Sequence, residues 1–177
     1  MTAPTPELRP IGDDLTDLLV DPLANAPVEG VPDDLLPHPA PFACRVGVAA
    51  HQVSPVVPHV RNVEYLRWFE RGAELHCDAL GHTRARMLDE GVMWFVARHE
   101  IDFRAETMLD DELVLFTWIR DLRRVKSWRD AVLWRPADET VVAHCSTLWV
   151  FVDLATRRPR TVPPPMASTF DTLEARS

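Results

Sequence analysis

Glycine is scarce in this 177-residue chain, and the six present (Gly12, Gly30, Gly47, Gly72, Gly81, Gly91) are scattered. Neither a P-loop nor a dinucleotide fingerprint can be built from them, because both need clustered glycines to bring backbone N–H groups against phosphate. There is no GxSxG, so a hydrolase nucleophile elbow is excluded. The histidines His38, His51, His59, His76, His82, His99 and His144 show no HExxH or comparable ligand spacing, and neither a metal nor another cofactor is expected. The three cysteines, Cys44, Cys77 and Cys145, are odd in number, far apart and without a CxxC pair. They suit a reducing cytoplasm better than a disulfide scaffold. No basic start leads into an apolar stretch, and no apolar run nears the roughly 18 residues that span a bilayer, so a soluble cytoplasmic protein without membrane contact is expected. Positive charge is short as well: 19 Lys and Arg stand against 27 Asp and Glu, for a net charge of -8. That balance argues against a nucleic-acid binder.

The charge is unevenly placed. Residues 1–42 hold eight of the acids, one base (Arg9) and nine of the 16 prolines, which describes an acidic arm and not a domain. Within it, residues 13–20 could form a short helix, and Leu35 and Leu36 could pin the arm to a neighbouring surface. The remainder is close to neutral, and with 46% apolar residues overall a core-forming domain is expected over residues 43–166, followed by a polar tail, 167–177, that frays.

The stretch around which the domain should be built is residues 59–80. Pro55 and Pro58 prevent an earlier helical start, Asn62 is a suitable N-cap, and Glu64 and Glu70 come early, where the helix dipole favours anions. Leu66, Phe69, Ala73, His76 and Leu80 form one stripe at helical spacing, with Tyr65, Trp68, Gly72, Leu75 and Ala79 beside it. Only Arg67, Glu70, Arg71, Glu74 and Asp78 remain as a polar strip. A helix this broadly apolar needs cover on most sides and belongs at the centre of a core. Strands are predicted at 44–53, 92–103, 113–122, 127–135 and 140–153, with a short charged segment after Gly81. One helix followed by four strands on short connections gives an α+β fold with an antiparallel sheet.

The run HVRNVEYLRWFE at residues 59–70 resembles the HVNNxxYLxWFE signature of hotdog-fold acyl-CoA thioesterases of the 4-hydroxybenzoyl-CoA thioesterase type. Residues 98–103 are similar to the strand that follows the helix there, 110–113 to a GDEL turn, and 149–159 to the last strand and turn, in the same order. The resemblance implies a hotdog fold, with a five-stranded or slightly larger antiparallel sheet wrapped around one long helix, assembling as a dimer or dimer of dimers. It implies hydrolysis of an acyl-CoA or acyl carrier protein thioester by water attack. In the family a carboxylate ten residues before the signature tyrosine, here Tyr65, acts on the thioester. That position is Pro55, which can neither attack a carbonyl nor take a proton.

Three replacements are open. Some relatives carry the carboxylate on the helix, which makes Glu70 and Glu74 candidates; desolvation would raise their pKa toward useful values. A partial likeness to enediyne polyketide thioesterases matches Arg71 to an arginine that stabilises the tetrahedral oxyanion. Arg71 and Glu74 also stand at ion-pair spacing. His59 could act as a base, as could His51, and Asn62 with the first N–H groups of the helix could polarise the carbonyl. For the CoA phosphates or an acidic carrier protein, the basic clusters Arg123-Arg124-Val125-Lys126 and Arg157-Arg158 with Arg160 offer the necessary charge. Tyr65 and Trp94 are candidate substrate contacts, with Phe95 and Trp118 as further walls of an acyl pocket. The alternative, resting on Pro55, is a hotdog protein that binds acyl-CoA without turning it over; a hotdog dehydratase fits the helix signature less well.

Overall fold

A computed structural model describes residues 18–23, 30–32 and 34–173. Its strands are β1 (Val20–Pro22), β2 (Phe42–Gly47), β3 (Val92–Phe103), β4 (Glu112–Arg123), β5 (Lys126–Arg135), β6 (Thr140–Asp153) and β7 (Arg158–Pro159); its helices are α1 (Asn62–Ala79), α2 (Arg84–Asp89) and α3 (Pro164–Ala167). The seven strands make one antiparallel sheet in the order β1-β2-β4-β5-β6-β3, with β7 added to β6.

The predicted central helix is α1, and it lies across the inner face of the sheet. Trp68, Phe69 and Tyr65 are buried against Cys44, Leu113, Leu115, Leu133, Val142 and Cys145, and Ala73 is buried as well. Gly72 sets the spacing, because a Cβ there would overlap the Leu115 Cδ2 methyl, and Leu115 is itself fully buried. Asn62 is not the N-cap. Arg61 holds that position with extended dihedrals and no side-chain cap, so the first turn is closed instead by Glu64 N–H donating to the Arg61 carbonyl.

Other expectations are corrected by packing. The first predicted strand, 44–53, is shorter and earlier, Phe42–Gly47, and a 3-10 turn at Ala50–Gln52 replaces its second half. The charged segment after Gly81 is helical, with Thr83 accepting from Arg86 N–H as its cap. Residues 13–17 lie outside the described residues, whereas Val20, which closes the proposed arm helix, begins β1 and pairs with Val46. Leu23, Val31, Leu35 and Leu36 of the arm do pack on a surface, the outer face of β4 and β5, against Val114, Phe116, Trp118, Val132 and Trp134. Leu173 joins them, Met166 and Phe170 are buried, and Thr172 bridges to Ile119. The tail therefore does not fray up to Leu173. Its apolar side chains at 170 and 173 find surfaces that a polar reading of the tail overlooks.

Gly72→Ala improves helix propensity by about 1 kcal/mol but forces α1 off Leu115. A net loss of about 1–3 kcal/mol in urea unfolding is expected from overpacking; an unchanged or raised midpoint would show that the close approach is not required.

Candidate active site

Strand alternation aims Val92, Trp94 and Val96 toward α1. The register slips between Val96 and Arg98, and the extra residue reverses the alternation for the rest of β3. Beyond it His99, Ile101 and Phe103 face inward. Ile101 joins the core under α1, and Phe103 meets the Tyr65 ring edge-on at 5.1 Å. His99 reaches Glu70 of α1, with Nε2 3.6 Å from Oε1, and its Nδ1 lies 3.0 Å from Thr147 Oγ1 of β6. Thr147 is buried, while the Glu70 side chain is 42% exposed and His99 20%. The result is a carboxylate open to water on one side and backed by an imidazole whose other nitrogen is held by a hydroxyl. Glu70 was a sequence candidate; His99 and Thr147 were not, since neither the slip nor the β3–β6 register can be read from spacing.

Arg71 and Glu74 satisfy one another: Arg71 Nη1 donates to Glu74 Oε2 at 2.9 Å, and the other Glu74 oxygen accepts from Arg84 Nε at 2.8 Å. Before α1, the chain folds into a small hairpin closed by Val53 and Val60. Pro55 is exposed in its loop, and the His59 Nδ1 is buried without a hydrogen-bond partner. Asn62 is exposed and stands about 12 Å before Glu70 along the helix, so neither it nor the hairpin joins the Glu70 group. The hairpin is fixed by a carboxylate that sequence reading placed only near the dipole. Glu64, fully buried, accepts from Arg61 at 2.6 Å, Arg67 at 3.1 Å and the buried Gln52 amide at 3.4 Å. Tyr65 is buried too and donates to Thr107 Oγ1 at 2.9 Å; burial raises its pKa ahead of that bond's opposing effect.

The aromatic pocket is not assembled as expected. Trp94 packs inward on Phe151, with ring centroids 5.0 Å apart. Phe95 alternates to the opposite face and is 40% exposed, and Trp118 lies on the outer face of the sheet beneath the arm.

The two basic clusters do come together. Val162 N–H donates to the Arg124 carbonyl at 2.7 Å and Phe151 N–H to the Val125 carbonyl at 2.9 Å, which ties the β4–β5 turn to the chain around β7. Arg123 pairs with Asp121 at 3.3 Å and Arg160 with Asp153 at 3.5 Å. Arg124, Lys126, Arg157 and Arg158 are exposed and have no acid partner among the described residues. Arg124 and Arg157 sit at φ 46° and 58°, left-handed backbone that a glycine adopts at lower cost.

Deeper on the inner face, the guanidinium of Arg129 donates from Nη1 to His76 Nδ1 at 2.9 Å. Burial first, and the Arg129 charge second, pull the His76 pKa down to about 3, so this imidazole is neutral and serves as an acceptor. It stacks on Phe42, 5.0 Å between centroids and 8° from parallel. Among the described residues no group of His, Cys, Asp and Glu is placed to hold a metal, and no helix is long and apolar enough to cross a membrane.

One long helix wrapped by a curved antiparallel sheet is the hotdog fold, and solved structures bear this out at low sequence identity. A protein assigned as an oleoyl thioesterase from Lactobacillus plantarum aligns with TM-score 0.70 and 17% identity over 75% of this chain and 51% of that one. A 1,4-dihydroxy-2-naphthoyl-CoA thioesterase from Synechocystis gives 0.68 and 16% over 73% and 95%. The 12:0-ACP thioesterase from Umbellularia californica gives 0.64 and 18% over 73% and 50%. The chain thus spans about half the length of the first and the third. No curated protein matches the sequence. The chain belongs to the thioesterase-like superfamily, whose sequence profile matches residues 56–170.

Because folded His76 resists protonation until about pH 3 while the unfolded residue takes up its proton near pH 6.5, its neutral state supports the fold fully above that value. Stability is expected to fall between pH 6.5 and 3 by up to about 1.4 kcal/mol per pH unit from this group. Urea midpoints from pH 7 to pH 4 should decline less steeply in His76→Gln; parallel slopes would remove His76 as the cause.

Proposed function

We propose that this protein hydrolyses acyl thioesters, carried on CoA or on an acyl carrier protein, with water activated by Glu70 and His99. The observation that carries the reading is the Glu70–His99–Thr147 chain, which lies beside the sheet edge formed by β3. Glu70 has the role left vacant at Pro55: its exposed oxygen holds a water and takes a proton as that water attacks the thioester carbon. His99, fixed by Thr147, orients the carboxylate and passes the proton toward the departing thiolate. Arg71 and Glu74 remain candidates through their own pair, although each is already engaged. Family membership and the fold support thioester hydrolysis in general; the pair itself rests on geometry.

The four exposed basic residues at the β4–β5 and β7 turns, Arg124, Lys126, Arg157 and Arg158, are the proposed contact for CoA phosphates or for acidic carrier-protein side chains. Arginines kept in left-handed turns, where backbone strain costs about 1 kcal/mol or more, support a role beyond solvation.

Assembly is proposed through β3. It is a 12-residue strand at the edge of the sheet, and exposed Phe95 and Phe103 lie on it, with Val56, Val57, Val63, Met108 and Leu109 also exposed toward the start of α1. A long edge strand with exposed aromatic side chains is a ready template for a second copy of the same strand. Light scattering is expected to give twice the 20.1 kDa chain mass, falling toward one chain in Phe95→Lys/Met108→Lys; a monomeric wild type would defeat this assembly.

Free-thiol release from short, long and aromatic acyl-CoAs, and from acyl carrier protein substrates, tests the hydrolase. Glu70→Gln and His99→Asn are expected to lose about 10²–10⁴-fold in kcat while remaining folded. Arg157→Glu/Arg158→Glu should mainly raise KM. Loss in Arg71→Ala or Glu74→Gln with Glu70→Gln unaffected would move the chemistry one turn along α1. Pro55 favours one rival, a binding protein without turnover; thermal stabilisation by intact acyl-CoA with no thiol released would establish it.

A further inference from the structure

Arg129 has no part in the reaction above, yet it belongs to the same polar row. Thr147 is the register partner of His99 on one side and of Arg129 on the other. His99, Thr147 and Arg129 therefore cross three adjacent strands on the inner face, and the first and last stand about 9–10 Å apart by strand spacing. The Arg129 side chain is 6% exposed. It donates to His76 Nδ1 at 2.9 Å and to Thr117 Oγ1 at 3.2 Å, and Nη2 rests 4.0 Å from Cys77 Sγ.

All three partners are neutral. His76 is held uncharged, and burial pushes the Cys77 thiol pKa up despite the nearby guanidinium. The adjacent carboxylate, Asp130, points to the opposite face, where it accepts from Arg120 at 3.1 Å and from Ser146 at 2.6 Å. Among the described residues no acid pairs with Arg129. The carbonyl end of α1 relieves a buried cation in part, but an ion out of water without a counter-ion is otherwise strongly disfavoured. Burial accordingly lowers the Arg129 pKa, against a smaller opposing influence of Cys77.

The position of this cation relative to the thioester follows from helix geometry. Glu70 and Cys77 are seven residues, close to two full turns, apart and share one face of α1. The small side chain of Ala73 lies one turn from each. The line from Glu70 and His99 to the Arg129 guanidinium therefore runs past Ala73, which is 5% exposed, to Cys77, and an acyl group that reaches the cation has to open the packing over Ala73.

We propose that Arg129 selects acyl groups carrying an anionic oxygen at their far end, such as the second carboxylate of a dicarboxylic monothioester, and supplies that oxygen with the counter-charge the interior lacks. This rests on Glu70 and His99 being the hydrolytic pair. The anion would complete the pairing that His76, Thr117 and Cys77 leave unmet, and an alkyl chain of the same length would leave the cation as it is.

The full-length protein is compared on adipyl-CoA and hexanoyl-CoA, which differ in the terminal carboxylate. Thiol release is expected to favour adipyl-CoA by about tenfold or more in kcat/KM, since a buried polar group discriminates strongly against the substrate that leaves it unpaired. Arg129→Met should bring the ratio to about one, and Arg129→Lys should retain part of it. A merely structural arginine would lower both substrates together and leave the ratio unchanged, which would overturn the proposal, as would a wild-type preference for hexanoyl-CoA. If Arg129→Met does not fold, the wild-type ratio alone decides. If neither ester releases thiol, the hydrolytic reading fails separately, and calorimetric titration with the two intact esters decides on Arg129: tighter binding of adipyl-CoA sustains it, and equal or weaker binding refutes it.

Discussion

The close approach of α1 to the sheet at Gly72 and Leu115 is the constraint from which the rest follows. With the helix axis held this near β4, every face of α1 is assigned. Trp68, Phe69 and Tyr65 go into the core, Arg71 and Glu74 are turned to Arg84, and Glu70 and Cys77 are turned toward β3 and the interior. A bulkier residue at position 72 would lift the helix and loosen His99 from Glu70 and Arg129 from His76 together. Helix and sheet thus position the polar groups between them in one act of packing.

The second determinant is the single extra residue in β3. Had strict alternation continued past Val96, the inward positions would have been Arg98, Glu100 and Asp102, a charged set facing an apolar helix. The slip sends Glu100 outward, where it meets Arg98, and brings His99, Ile101 and Phe103 inward. The two faces of the sheet consequently differ in chemistry. The inner face has a row with one imidazole, one hydroxyl and one guanidinium, and the outer face carries the carboxylates Glu100, Asp102 and Asp130. Arg129 and Asp130, neighbours in sequence, are separated by the thickness of the strand and never meet.

The long helix, the antiparallel order and the family resemblance were legible because apolar spacing over some twenty residues is a strong signal and the strands are separated by short turns. The missing carboxylate at Pro55 was legible for the same reason: a fixed spacing from Tyr65 points to one residue. Glu70 could be named as a candidate but not preferred over Glu74, since what distinguishes them is whether His99 or Arg84 lies opposite. Glu64 was misjudged as a dipole charge because its burial depends on Gln52 folding back from a 3-10 turn. Trp118 looked like a pocket wall because aromatic character is visible in the sequence and the choice of sheet face is not. The basic turns were found as two clusters, and their union depends on backbone hydrogen bonds between segments distant in sequence, Arg124 with Val162 and Val125 with Phe151.

The outer face of β4 and β5 has its own consequence. Phe116, Trp118, Val132 and Trp134 are covered from the front of the chain by Leu23, Val31, Leu35 and Leu36 and from the back by Leu173, and His38 of the arm stands 3.9 Å from Asp171 of the tail. The cover is stitched from segments that lie before and after β4 and β5 in sequence. On the ribosome the early half of this patchwork is made first but has nothing to lie on until β4 and β5 emerge, and the late half follows only after β6 and α3. For that interval a nascent chain exposes tryptophan and phenylalanine on an unfinished sheet, so the arrival of Leu173, and not closure of the helix core, is the event that ends this vulnerability to aggregation.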